Sequence, residues 1–164
     1  GMRSNIYGDY TNQPVIPLYG FGHGMSYTQF EYADLKLNGS AFLPGEVIDI
    51  SLRLRNSGGV SGDEVVQLYI RDEFASSPRP VKELKGFVRV SLKPGESCLV
   101  TFHMAVNQLA YYDEHLSLIV EPGKFQVMIG SSSTDIRLEG DFSVTGAEKS
   151  AIKERIFVCP VEIK

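Results

Sequence analysis

The feature that most constrains this chain is a period-two alternation of apolar and polar residues that begins after Phe30 and recurs almost to the end. Alternate residues of a strand face opposite ways, so such a run can bury one face and leave the other wet. In "EVIDISLRLRN", Ile48, Ile50, Leu52 and Leu54 share one face, and Asp49, Ser51, Arg53 and Arg55 the other. "DEVVQLYIRD" turns Val66, Leu68 and Ile70 inward, but Val65 and Tyr69 also put apolar surface on its outer face. "ESCLVTFHM" offers Cys98, Val100, Phe102 and Met104, and "KFQVMIG" offers Phe125, Val127 and Ile129. "DIRLEGDFSV" alternates Ile136, Leu138, Phe142 and Val144 with charged or polar residues.

Turn chemistry separates the runs. "LPGE" (43–46), "KPGE" (93–96) and "EPGK" (121–124) each set Pro-Gly before a strand, as a type II turn prefers. Only "AVNQLAYYDE" hints at a helical turn. About seven strands with almost no helix predict an all-β, two-sheet sandwich over residues 30–145. Residues 1–29 read as an N-terminal linker arm and 146–164 as a C-terminal tail. Both arms suggest that the domain lies against something larger.

The formal charge of −4 in 164 residues argues against a nucleic-acid partner, which would need a basic face. Apolar runs are too short for a transmembrane helix, so no membrane partner is expected. The first twenty residues are polar with two prolines and read as no signal peptide. Cys98 and Cys159 belong to no CxxC or Cys/His cluster, so no metal and no cofactor is expected. Both are expected to remain thiols.

Catalytic chemistry finds little purchase. Asp63-Glu64, Asp72-Glu73 and Asp113-Glu114 are adjacent pairs, and adjacent strand residues point apart rather than across a cleft. No GxSxG accompanies the three isolated histidines. His23, between Gly22 and Gly24, is read first as fixing loop geometry and second as a ligand contact. Tyr111-Tyr112 and Tyr7/Tyr10 could form a small sugar-stacking platform, although packing at a loop is the simpler reading. The segment "PLYGFGHGMSYTQF" (17–30) holds three glycines and four aromatics without periodicity. Burial of Tyr27 and Phe30 is expected to anchor it.

Seven motifs in register then suggest a family: "PLYGFGHGMSYTQFEY", "GDEVVQLYIRD", "PRPVKELKGF", "LKPGES", "LAYYDE", "VEPGKFQVMIGSSS" and "DIRLEG". Together they resemble the C-terminal fibronectin type III-like domain of glycoside hydrolase family 3, the β-glucosidases and β-xylosidases. Gly20, Met25 and Leu118 depart from that pattern, where proline, leucine and tryptophan are usual. The resemblance implies an immunoglobulin-like sandwich whose aromatic–glycine arm leads out of the catalytic part. It also implies a non-catalytic accessory role, because the Ser-Asp-Trp context of the family's nucleophile is absent and the chain has no tryptophan. The expected partners are the catalytic domains of such an enzyme, in cis or in trans, with weak carbohydrate contact as a lesser expectation. Tyr19, Phe21, His23 and Tyr27 of the arm, with Arg79, Pro80, Val81 and Lys82 of the loop before "ELKGF", are the expected docking residues. A free-standing carbohydrate-binding or partner-binding module is the alternative.

Overall fold

The computed structural model describes residues 20–73, 82–146 and 150–164. Seven long strands make the body: β1 (Phe30–Leu37), β3 (Val47–Asn56), β4 (Gly62–Asp72), β5 (Glu83–Leu92), β6 (Ser97–Ala105), β9 (Gly123–Ser132) and β10 (Asp135–Val144). Short β2 (Ala41–Phe42) and β12 (Val161–Ile163) extend the two sheets. One sheet runs β1-β3-β6-β12 and the other β2-β10-β9-β4-β5. A small third sheet joins β7 (Tyr111–Tyr112), β8 (Leu118–Val120) and β11 (Ser150–Ala151). The chain is an all-β sandwich.

The alternation explains the core. Ile48, Ile50, Leu52 and Leu54 of β3 are fully buried, as are Val66 and Leu68 of β4, Val100, Phe102 and Met104 of β6, and Val127 and Ile129 of β9. Phe125 stacks on Phe142, their ring centroids 5.4 Å apart, which closes one end.

Two of the three Pro-Gly turns are type II. Gly45 and Gly95 hold φ of +93° and +78°, and the amides of Glu46 and Glu96 donate to the carbonyls of Leu43 and Lys93. The third differs: Gly123 is outside the left-handed region and opens β9 directly. The hinted helical turn is a 3₁₀ turn over Val106–Leu109.

The C-terminal residues enter the sandwich. Val161, Glu162 and Ile163 pair with Phe102, Thr101 and Val100 of β6. This draws Cys159 against the core beside Gly86 and Phe102, and burial raises its thiol pKa to about 11. Both cysteines are free thiols.

Candidate functional site

The outer face of β4 carries the anomaly noted in the sequence: between Val65 and Tyr69 stands Gln67, polar yet only 4% exposed. It is buried because the arm crosses it. Gln67 Nε2 donates to the carbonyls of Gly22 (3.1 Å) and Ser131, while the Tyr69 hydroxyl donates to Gln67 Oε1 at 2.6 Å. The arm meets this amide through a turn in which the His23 amide donates to Gly20 O at 3.1 Å and Gly22 has φ +78°. A Cβ on Gly22 would fall 2.2 Å from Gln67 Oε1, so glycine here permits both the turn and the close approach. The Ser133 amide donates to Phe21 O at 2.9 Å, which ties the same turn to the β9–β10 hairpin.

A second anchor lies at the arm's other end. Thr28 Oγ1 donates to Asn56 Oδ1 at 2.8 Å, and the amides of Ser57 and Gly58 donate to Gln29 O. Asn56 is fully buried, and its Nδ2 donates to the carbonyls of Val60 and Leu92. Phe30, 8% exposed, enters the core as expected. Tyr27 does not: it is 98% exposed, because hydrogen bonds at Thr28 and Gln29 fix the arm and turn the ring outward.

Beneath the arm lies a cleft of about 850 Å³. Phe21, Met25, Val65, Leu84 and Phe87 give it apolar walls, and Glu31, Asp63, Glu64, Asp135 and Arg137 give it charge. The Tyr32 hydroxyl donates to Glu64 Oε1 at 2.8 Å. Burial raises the Glu64 carboxyl above the ordinary range, and burial and then the adjacent Glu64 raise the Tyr32 phenol. Arg137 grips Asp135 through Nε (2.6 Å) and Nη2 (2.8 Å), which lowers the Asp135 pKa. Asp63 turns the other way, to Ser91 and Arg89, and those hydrogen bonds hold its carboxyl low. The adjacent acids Asp63 and Glu64 therefore point apart, one exposed and one buried.

Of the expected docking residues, Phe21 and His23 line the cleft, and Tyr27 projects from the same arm. Lys82 is engaged within the chain: its Nζ donates to Ser133 O and lies 5.9 Å from the centre of the Tyr69 ring. Tyr19, Arg79, Pro80 and Val81 lie outside the described residues. Sequence reasoning weighed Glu64 only as half of an adjacent acid pair and missed Tyr32 and Arg137; the three lie on strands distant in sequence. Gln67, a polar residue between two outward apolar ones, was the legible signal. Among the described residues, no group of three or more His, Cys, Asp or Glu side chains could hold a metal ion.

Comparison with known proteins places this geometry in a class. Residues 64–133 match the family model of the fibronectin type III-like domain. The chain is 41% identical over 150 residues to thermostable beta-glucosidase B of Acetivibrio thermocellus, covering 91% of this chain and 20% of that protein. It is 42% identical over 126 residues to a beta-xylosidase of Formosa agariphila, covering 77% and 17%. The crystal structure of beta-glucosidase from Listeria innocua in complex with glucose superposes with a TM-score of 0.77 at 36% identity, over 84% of this chain and 19% of that one. Sandwich and match together define a fibronectin type III-like domain. More particularly, the chain resembles the C-terminal fibronectin type III-like domain of family 3 glycoside hydrolases, and it spans about a fifth of the length of the curated relatives it matches.

Proposed function

We propose that this chain is a non-catalytic accessory domain that docks on, and stabilises, the catalytic domains of a family 3 glycoside hydrolase of the β-glucosidase or β-xylosidase type. One observation carries the reading: the stretch 20–29 of the arm, held at Gly22 and at Thr28, presents Phe21, Met25 and Tyr27 at 68%, 92% and 98% exposure beside Phe87 at 65%. Large apolar groups held rigidly in water mark an interaction surface. The arm has already lost its conformational freedom to Gln67 and Asn56, so little ordering cost remains for a partner to meet. That the relatives carry the matching segment within much longer glycosidases supports a partner in cis. The same surface would serve in trans, and weak carbohydrate contact would be incidental to it.

The test uses a parent enzyme in which these residues follow the catalytic domains. Phe21→Ser with Phe87→Ser should leave the isolated domain's melting temperature within a degree or so, as exposed changes usually do. In the parent the same pair should lower the thermal inactivation temperature or separate the domains in limited proteolysis. A parent indifferent to both changes would refute the reading.

A further inference from the structure

The cleft beneath the arm is more selective than an apolar docking patch needs to be. Among the described residues, its lining sets four carboxylates (Glu31, Asp63, Glu64 and Asp135) against a single guanidinium, Arg137. Two of the four are already committed, Asp135 to Arg137 and Asp63 to Arg89 and Ser91. Glu31 and Glu64 remain. Glu64 is more than nine-tenths buried; the Tyr32 hydroxyl donates to it, and the Arg137 charge acts on it from the same lining. Burial outweighs what Tyr32 and Arg137 return to this carboxylate, and a further cationic donor is the group that offsets the remaining cost best.

The walls say what should carry the cation. The Phe21 and Phe87 rings, 68% and 65% exposed, line the cleft with Met25, Val65 and Leu84 beside the acids. A lining that mixes apolar groups with carboxylates suits a side chain with an aliphatic stem and a cationic head. The exposed Phe21 and Phe87 rings add attraction for that head. The excess of carboxylates excludes an anion, and a neutral polyol would add no positive charge beside the buried Glu64.

We propose that this cleft seats an arginine or lysine side chain presented by the polypeptide on which the arm docks; the proposal rests on the docking reading above. Apolar contacts around the cleft would then supply area, and the cationic anchor would fix register. A partner lacking that side chain would cover Glu64 and Glu31 without offsetting their charge, so the cleft discriminates among otherwise similar apolar surfaces.

The anchor can be tested on the full 164-residue chain alone. Amide NMR titration with N-acetyl-arginine methylamide is compared with its neutral citrulline counterpart, which keeps the shape and removes the charge. The arginine probe should shift the amides of Gly22, Gln67 and Ser131, and citrulline should bind roughly tenfold more weakly, as for loss of a charge-assisted hydrogen bond. Added salt should weaken the arginine probe, and Glu31→Gln with Glu64→Gln should bring it down to the citrulline level. Equal binding of the two probes, shifts confined to other strands, or tighter binding of glucose or cellobiose at the same amides would overturn the proposal. A second measurement separates it from the docking reading. If Phe21→Ser with Phe87→Ser weakens the parent while Glu31→Gln with Glu64→Gln does not, docking stands and the anchor falls. If neither pair affects the parent, docking falls and the anchor falls with it.

Discussion

Glu64 stands at an inward position of β4, where alternation would put an apolar residue, and meets Tyr32 from the opposite sheet. Its raised pKa fixes the sign of a pH effect. The folded chain holds the Glu64 proton at pH values where the unfolded chain has released it, so the native state binds more protons there. Stability contributed by this site is present below the ordinary glutamate pKa of 4.5 and declines as pH rises from there through the shifted value. Glu64→Gln keeps an acceptor for Tyr32 and removes the titration. We expect its unfolding free energy at neutral pH to equal or exceed that of the natural chain, with a flatter profile above pH 4.5. Urea unfolding at several pH values checks this; a variant with an unchanged slope would show that Glu64 is not the group responsible. Asn56 makes the opposite case, because its side chain is fully used. Asn56→Ala strands the carbonyls of Val60 and Leu92 and the hydroxyl of Thr28, and should cost about 2–3 kcal/mol in the same assay.

At the scale of elements, the arm and the C-terminal strand are the parts that periodicity handled least well. Both lack a long alternating run, yet both are tied into the sandwich. A chain beginning at Glu31 loses the Phe30 side chain, worth roughly 1.5–3 kcal/mol on burial, together with the Thr28 and Gln29 hydrogen bonds. Its melting temperature should fall measurably, and an unchanged value would mean that the arm is passive. β12 covers the edge of β6 and holds Cys159 against Phe102 and Gly86. Thiol titration of the native chain with a small reagent should therefore find Cys159 slow, because burial raises its pKa to about 11 and so depletes the reactive thiolate. In denaturant both thiols should react.

At the scale of the whole molecule, the same geometry bears on activity. Glycoside hydrolysis needs two carboxyl groups facing one another across a substrate. Asp63 is held by Arg89 and Ser91 outside the sandwich, while Glu64 turns inward to Tyr32. The purified chain should therefore show no turnover of aryl glucosides or xylosides above background. Activity that survives repurification and disappears with one carboxylate substitution would contradict this. The exposed apolar arm gives a further expectation for the isolated domain. It should tend to self-associate at high concentration, and Phe21→Ser with Phe87→Ser should reduce that tendency in sedimentation.

The all-β class, the inward faces of β3, β4, β6 and β9 and two type II turns were legible in the sequence, because each depends on neighbours a few residues away. Alternation sets which side of a strand is apolar, and Pro-Gly favours the type II dihedral angles wherever no strand pairing competes for the glycine. The EPGK turn was misread because Gly123 is drawn into pairing with Val144, a long-range hydrogen-bonding choice that overrode the local preference. Tyr27 was misjudged for a related reason: its exposure is decided by Thr28 reaching Asn56, a residue twenty-eight positions away. The cleft lay entirely beyond local reading. Its lining comes from the arm, β1, β4, β5 and β10, which meet only when the two sheets pack. Local sequence determined what each strand would bury. Tertiary packing alone decided which polar side chains, left at the margins of that burial, would face one another.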